Sequence, residues 1–130
     1  MTEKKSGPGF QLADGSRLVA VMRRDAEKAR DYAERHGVPR WYSTVEGLLA
    51  DPEVDAVYIA TPPGSHLEIA KEVARSGKPC YLEKPMARNK TESKAIADAF
   101  GSQPLYVAYY RRCDYAEREV KDRCVDPKSI

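Results

Sequence analysis

The sequence predicts an α/β fold in which a doubly wound parallel sheet carries helices on both faces. Short apolar runs alternate with amphipathic helical stretches along most of the 130 residues. Continuous apolar runs, without polar residues at alternate positions, are typical of strands buried on both faces. Strand–helix–strand connections are right-handed and place successive strands parallel in one sheet.

Four apolar runs are predicted to form the buried strands. They comprise residues 18–22, 56–60, 79–82 and 105–108, with a further extended piece at 41–42. The helices between them are predicted from residues that can cap a helix with a side-chain oxygen. These predicted N-cap residues are Asp25, Ser43, Ser65 and Asn89. Gly37 and Gly77 follow two of the helices, where a left-handed residue commonly ends a helix.

Each predicted helix has one apolar face that can pack on the sheet. The residues on these faces are Ala26, Ala29, Tyr32 and Ala33; Leu48 and Leu49; Leu67, Ala70, Val73 and Ala74; and Ala95, Ile96, Ala99 and Phe100. Their spacing of three and four residues is that of an amphipathic α-helix. Cys80, within the third apolar run, is expected to be a buried strand residue rather than a nucleophile.

The composition is that of one ordinary globular domain. Hydrophobic residues make up 42% of the chain and charged residues 32%, which suits a single core. The net charge of +2 is too small to indicate nucleic acid or an acidic membrane as a partner. No apolar run reaches the roughly 18 residues of a membrane span, and no secretory leader pattern is present. Three cysteines without C-x-x-C spacing indicate reduced thiols, so we expect a cytoplasmic protein and assign no metal ligands.

Arg23 and Arg24 directly follow the first predicted strand. Ligands of open α/β sheets bind at the carboxyl ends of the strands. In a dinucleotide-binding sheet, an acid at such a position suits the 2′-hydroxyl of NAD, whereas an arginine suits the 2′-phosphate of NADP. A charged turn ahead of a helix would explain both arginines equally well. Asp25 could supply the acid, but its cap position already accounts for it.

Thr61 and Pro62 end the second apolar run. Proline stiffens a turn and removes an N–H donor, so the backbone there can face a flat ligand. An ordinary strand-to-helix connection would explain the same residues. His66 begins the next helix, where a lone histidine is more often a hydrogen-bonding group than a catalyst.

Glu83, Lys84 and Pro85 follow the third apolar run, at the ligand-binding edge of the predicted sheet. A lysine at this edge could share or donate a proton to an alcohol or carbonyl oxygen. Glu83 could pair with the lysine, and Pro85 would fix the turn. The alternative is an exposed Glu–Lys pair at the end of a strand.

Two motifs in combination resemble the Gfo/Idh/MocA family of glucose–fructose oxidoreductase and inositol dehydrogenase. They are A-T-P-P-x-x-H at residues 60–66 and G-K-P-x-x-x-E-K-P at residues 77–85. The resemblance covers about residues 2–112. It implies a Rossmann-like domain that transfers a hydride between NAD(P) and a sugar, polyol or related carbonyl compound, followed by a C-terminal substrate domain.

The resemblance also implies which residues hold the cofactor. They are Arg23, Arg24, Thr61, Pro62, His66, Glu83, Lys84 and Pro85. Lys84 is the implied catalytic residue, because it matches the lysine that contacts both the nicotinamide ribose and the substrate. His66 matches the histidine that supports the Thr61 loop. Arg23 lies where NAD-preferring members carry an acid, so the implied cofactor is NADP, with NAD as the alternative.

One departure from the family concerns the phosphate site. Family members begin with an apolar strand and a G-x-G-x-x-G turn, neither of which occurs in these 130 residues. Residues 2–12 resemble the helix that follows that turn. We therefore expect 1–112 to form a truncated Rossmann-like domain without the first, central strand and without the substrate domain. Residues 113–130 are expected to form a charged, disordered tail.

These departures lead us to expect little or no turnover by the chain alone. The strand edges beside the missing strand could pair with a complementing chain or with a second copy. A non-catalytic remnant that binds another polypeptide is therefore one alternative to an active oxidoreductase. The product of a broken reading frame is another.

Overall fold

The computed structural model describes residues 7–109, and side chains from residue 9 onward. The predicted domain boundary at residue 112 and the tail at 113–130 lie outside this part of the chain. The helices are α1 (Gly7–Leu12), α2 (Ala26–His36), α3 (Val45–Ala50), α4 (His66–Ser76) and α5 (Lys90–Phe100). The strands are β1 (Ala20–Met22), β2 (Arg40–Tyr42), β3 (Val57–Ile59), β4 (Cys80–Leu82) and β5 (Leu105–Val107). A 3-10 turn, Pro63–Ser65, directly precedes α4.

The strands form two parallel sheets, one of β1 and β2 and one of β3, β4 and β5 in that order. Val21 lies opposite Trp41 in the first sheet, and Tyr81 lies between Tyr58 and Tyr106 in the second. The predicted α/β class with parallel strands is confirmed. The break between the sheets falls between β1 and β3, where the sequence predicts that a central strand is missing.

Local sequence sets most of the helix ends. The side chains of Asp25 and Asn89 accept hydrogen bonds from the backbone N–H of the third residue of α2 and of α5. Gly37 and Gly77 adopt φ values of 63° and 76°, a left-handed conformation that side chains disfavour, and so end α2 and α4. These four predicted helix ends are confirmed.

Two predicted N-caps were wrong. Thr44 rather than Ser43 caps α3, because the Thr44 hydroxyl accepts a hydrogen bond from the Gly47 N–H at 3.2 Å. Ser65 does not cap α4 with its side chain. Its hydroxyl instead donates to the carbonyl oxygen of Pro62 at 3.0 Å, because the 3-10 turn folds it back toward the preceding loop.

The main core joins β3 and β4 to α4 and α5. Its buried members are Val54, Val57, Ile59, Ala70, Val73, Ala74, Cys80, Leu82, Ala87, Ile96 and Phe100. A smaller cluster of Tyr32, Ala33 and Val38 packs α2 on the other sheet. Of the predicted α2 face, only Ala26 is exposed, because it lies in the first turn. None of the helices within residues 7–109 has the length and apolar composition that spanning a bilayer requires.

Candidate functional site

A groove of about 620 Å³ lies between β1 and β3. Arg23, directly after β1, and Thr61, two residues after β3, line it at the carboxyl ends of these strands. The other predicted site residues are not among its lining residues. Pro62, His66 and the Glu83–Lys84–Pro85 segment lie beyond Thr61 or after the neighbouring strand β4. The candidate site therefore consists of the groove mouth and the two loops that follow β3 and β4.

His66 joins these two loops. Its side chain is fully buried, with Nε2 2.7 Å from the carbonyl oxygen of Thr61 and Nδ1 3.1 Å from that of Met86. A neutral imidazole carries one N–H and can therefore donate to only one of these oxygens at a time. Both interpretations of His66, as a hydrogen-bonding group at a helix start and as support for the Thr61 loop, agree with this geometry.

The Thr61 loop offers one buried polar atom that the described residues leave unsatisfied. The Thr61 hydroxyl oxygen is buried and has no hydrogen-bond partner among residues 7–109. Buried hydroxyl groups are nearly always paired, so an unpaired one beside a groove fits a polar atom of a bound molecule. Pro62 is exposed, and its carbonyl oxygen accepts from both the backbone N–H and the hydroxyl of Ser65, which fixes the turn.

Glu83 is held by three hydrogen bonds at the end of β4. Its backbone N–H donates to the Ile59 carbonyl at 2.9 Å, which continues the pairing with β3. Its carboxylate accepts from the Tyr58 hydroxyl at 2.6 Å and from the Lys84 backbone N–H at 3.1 Å. The Lys84–Pro85 peptide bond is cis, and both residues are exposed. The hydrogen bonds of Glu83 hold the start of the motif in place, and Lys84 lies at the surface.

Sequence reasoning missed Tyr58, which anchors Glu83. The ring of Tyr58 lies 5.1 Å from that of Phe10 and 5.7 Å from that of Tyr81, so it stands on the sheet face away from α4. A signal was present, since Tyr58 is the one residue of the run 56–60 with a polar group on its side chain. A buried tyrosine hydroxyl usually finds a partner.

A second missed feature is the ion pair of Arg88 and Glu92 beyond Pro85. The Glu92 carboxylate accepts from the Arg88 guanidinium and also from the Arg88 backbone N–H at 3.1 Å. The guanidinium holds the pKa of Glu92 below its usual value. Through these bonds Glu92, in the first turn of α5, holds the segment that connects Pro85 to the helix.

Arg23 and Arg24 are both exposed after β1, and the Arg23 guanidinium carbon lies 5.8 Å from the centre of the Tyr32 ring. Asp25, the acid at this strand end, caps α2 and forms an ion pair with Lys28 at 3.0 Å. The hydrogen bond from Lys28 lowers the pKa of Asp25. The Asp25 carboxylate is thus engaged within its own helix, whereas Arg23 is one of the residues that line the groove.

Two other kinds of site were considered among the described residues, a cysteine nucleophile and a metal centre. Cys80 is 1% exposed within β4, so the prediction of a buried strand residue is confirmed. Burial raises the pKa of its thiol to about 12, which disfavours the reactive thiolate. Between residues 7 and 109, no group of three histidine, cysteine or acidic side chains is arranged to hold a metal ion.

Comparison with known proteins places this geometry in a family. The family model described as an oxidoreductase family with an NAD-binding Rossmann fold matches residues 1–110. Oxidoreductase P35 from Formosa agariphila is 46% identical over 114 residues, which are 86% of this chain and 36% of that protein. myo-Inositol dehydrogenase from Lactobacillus casei, solved with NAD(H) and myo-inositol, is 26% identical with a TM-score of 0.80, over 88% of this chain and 35% of its own. Levoglucosan dehydrogenase, solved with NADH and levoglucosan, is 33% identical with a TM-score of 0.71, over 82% of this chain and 30% of its own.

The chain spans about a third of the length of these relatives. The family match covers most of the chain, and the resemblance seen in the two sequence motifs is confirmed. The Rossmann-like fold predicted from the sequence is confirmed as well. This chain belongs to the Gfo/Idh/MocA oxidoreductase family, whose NAD-binding Rossmann fold it shares.

Proposed function

We propose that this chain forms the cofactor-binding part of an oxidoreductase that moves a hydride between NADP and a sugar, polyol or related carbonyl compound. The observation that carries the proposal is the His66 bridge, which holds the Thr61 loop against the segment that follows Lys84. Levoglucosan and myo-inositol, named with two of the structural relatives, belong to this class of compound.

The residues of the groove mouth fit a dinucleotide phosphate. The Thr61 hydroxyl, buried and unpaired within residues 7–109, can hydrogen-bond a polar atom of the cofactor. The Arg23 guanidinium can bind a 2′-phosphate with two parallel hydrogen bonds. Asp25 is engaged with Lys28 and is therefore poorly placed to accept from the 2′-hydroxyl that distinguishes NAD. These features favour NADP as the cofactor.

Lys84 is proposed as the catalytic residue, with Glu83 and Pro85 as the residues that hold it. A bound nicotinamide dinucleotide supplies a two-electron acceptor or donor of hydride. When an alcohol is oxidised, its carbon loses a hydride and its hydroxyl loses a proton, which the Lys84 amine would accept. In the reverse direction the ammonium would return that proton to the carbonyl oxygen. The hydrogen bond from the Tyr58 hydroxyl to Glu83 would hold the Lys84 backbone in place during both steps.

We further propose that the 130 residues alone turn over slowly and that they reside in the cytoplasm. The break between β1 and β3 supports the first point, because Arg23 and Lys84 follow strands of different sheets. Three cysteines without C-x-x-C spacing support the second.

Isothermal titration with NADPH and NADH tests the proposed cofactor site. We expect weak binding of NADPH, with a dissociation constant of about 1 mM, and still weaker binding of NADH. Arg23→Asp should lower the affinity for NADPH about tenfold or more while leaving that for NADH unchanged or improved. Arg75→Asp, an exposed change in the last turn of α4, is the matched control and should alter neither value.

Two results would contradict these proposals. Equal affinities for NADPH and NADH, unaffected by Arg23→Asp, would exclude the proposed role of Arg23. Micromolar binding of NADPH by the 130 residues alone would show that the broken sheet does not impair the cofactor site.

A further inference from the structure

We propose that a network of charged and polar side chains couples the two sheets, so that breaking it lets the β1–β2 sheet with α2 unfold independently of the β3–β4–β5 sheet. The network consists of Arg17, Arg40, Tyr42, Asp51 and Glu53. It is a conformational device of the fold, which goes beyond the proposed cofactor function and does not depend on it.

The Asp51 carboxylate lies at the centre of the network. Asp51 directly follows α3, and its side chain is only 2% exposed. Its Oδ2 accepts a hydrogen bond from the Tyr42 hydroxyl at 3.0 Å and lies 2.8 Å from Nε of Arg40, with which it forms an ion pair. Its Oδ1 accepts from the backbone N–H of Glu53 at 2.9 Å. The buried charge depends on these partners, because an unpaired charge is strongly unfavourable away from water.

Glu53 extends the network toward β1. Its Oε2 accepts from Nη2 of Arg40 at 2.8 Å and from Nη2 of Arg17 at 3.2 Å. The hydrogen bond from Arg40 holds the pKa of Glu53 below its usual value, so this carboxylate is charged at neutral pH. One guanidinium, that of Arg40, therefore contacts both acids of the network.

The network spans the break between the sheets. In the described part of the chain no backbone pairing joins β1 to β3. Arg40 and Tyr42 belong to β2 of the first sheet, whereas Asp51 and Glu53 precede β3 of the second. The next residue, Val54, is 4% exposed and belongs to the main core. The ion pairs thus connect an outer strand of one sheet to the core of the other.

Apolar contacts between the two sheets are less completely buried. The side chains that pack against the main core from the β1 segment and from α3 are Val19, Ala20, Leu48 and Leu49. All four are only partly buried. Hydrophobic contact is also non-directional, whereas paired donors and acceptors specify one arrangement of the groups that they join.

Helix α1 provides a further, weaker link. Its Phe10 ring lies 5.1 Å from the ring of Tyr58 in the second sheet. The Gln11 side chain donates to the carbonyl oxygen of His36, at the end of α2, at 3.0 Å in an exposed position. A neutral hydrogen bond that water can replace contributes little to stability. The charged network is therefore the link whose loss we expect to separate the sheets.

Arg40→Met should have this effect, because it keeps an unbranched side chain but removes the charge. Asp51 would then be a buried carboxylate without a positive partner, and water can reach it only when β2 moves away. The first sheet with α2 has a core of three buried residues, against eleven in the main core, among the residues described. Once uncoupled, the first sheet should therefore unfold before the second.

Urea unfolding with one probe in each sheet tests the proposal. The fluorescence of Trp41 reports on β2, and a short pulse of a fast thiol reagent reports on Cys80 in β4, which is 1% exposed. Mass mapping separates Cys80 from the other cysteines. We expect the two transitions to coincide in the parent chain. In Arg40→Met the Trp41 transition should occur at a urea concentration lower by about 0.5 M or more than the Cys80 transition.

Hydrogen exchange provides a second readout without denaturant. The Arg23 N–H is hydrogen-bonded within the first sheet, and the Cys80 N–H is hydrogen-bonded within the second. In Arg40→Met the Arg23 amide should exchange at least tenfold faster, whereas the Cys80 amide should change less than twofold. Lys94→Met is the matched control, because it breaks an exposed ion pair with Asp98 on α5 and should change neither amide.

A double-mutant cycle tests whether Arg40 and Asp51 act through one network. Asp51→Asn removes the buried charge, so adding it to Arg40→Met should shift the Trp41 midpoint by less than it does alone. Additive shifts would contradict a shared network.

Two patterns would overturn the proposal. One is coincidence of the two transitions in Arg40→Met, because the sheets would then remain coupled without the network. The other is separation of the transitions in the parent chain, because the network would then not couple them. If Arg40→Met does not fold, Glu53→Gln changes a half-exposed partner and must show the same order of transitions. Coincidence in that variant would overturn the proposal equally.

Discussion

Replacing His66 should destabilise the chain by releasing the two loops that its ring joins. His66→Phe keeps a buried ring but removes the two ring nitrogens that face the carbonyl oxygens of Thr61 and Met86. Both contacts are only partly shielded from solvent, so the lost hydrogen bonding should lower the free energy of unfolding by about 1–2 kcal/mol. His66→Ala also leaves a cavity at a fully buried position, and deleting a buried aromatic ring costs about 3–5 kcal/mol.

The assay is urea unfolding, followed by the fluorescence of the single tryptophan, Trp41, and by circular dichroism. The second histidine provides a matched control. His36 packs its ring 4.3 Å from that of Tyr32, and its Nε2 is buried without a hydrogen-bond partner among residues 7–109. His36→Phe removes an unsatisfied polar atom, so its stability should remain within about 0.5 kcal/mol of the parent or rise. Equal losses for the two phenylalanine variants would refute the bridging role of His66.

Three further outcomes are expected. Thr44→Ala should lower the free energy of unfolding by about 1 kcal/mol in urea titrations, whereas Ser43→Ala should leave it unchanged, because only Thr44 caps α3. The backbone N–H of Glu53 holds the pKa of Asp51 below its ordinary value of 3.8. The stabilisation by Asp51 is then complete above about pH 4 and is lost as the pH falls through the lower native value, so Asp51→Asn should flatten the acid limb of unfolding free energy against pH. Cys80 should resist iodoacetamide in buffer and react in urea, as mass mapping of its peptide would establish; rapid reaction in buffer would contradict its burial.

The helix ends show which parts of the fold the sequence can predict. Asp25 and Gly37 act on backbone groups within a few residues of themselves, so their spacing alone identifies them. Ser43 and Thr44 are adjacent residues with hydroxyl groups. Which of them caps α3 depends on the residue at which β2 ends. β2 pairs with β1 through Tyr42, and the helix begins only after two further residues. The pairing of β1 with β2 joins segments about 20 residues apart, so the spacing of neighbouring residues cannot predict it.

In the candidate site, too, features set by nearby residues were predicted, whereas contacts between distant residues were not. Lys84 and Thr61 were located from motifs at strand ends, because parallel strands present their carboxyl ends at ligand sites. The contacts that fix these residues join positions 20 and 25 apart, His66 to Met86 and Tyr58 to Glu83. The periodicity of apolar residues predicts helices and strands, but it does not predict which distant residues will be in contact. The family resemblance supplied a supporting role for His66, whereas nothing in the two motifs pointed to Tyr58.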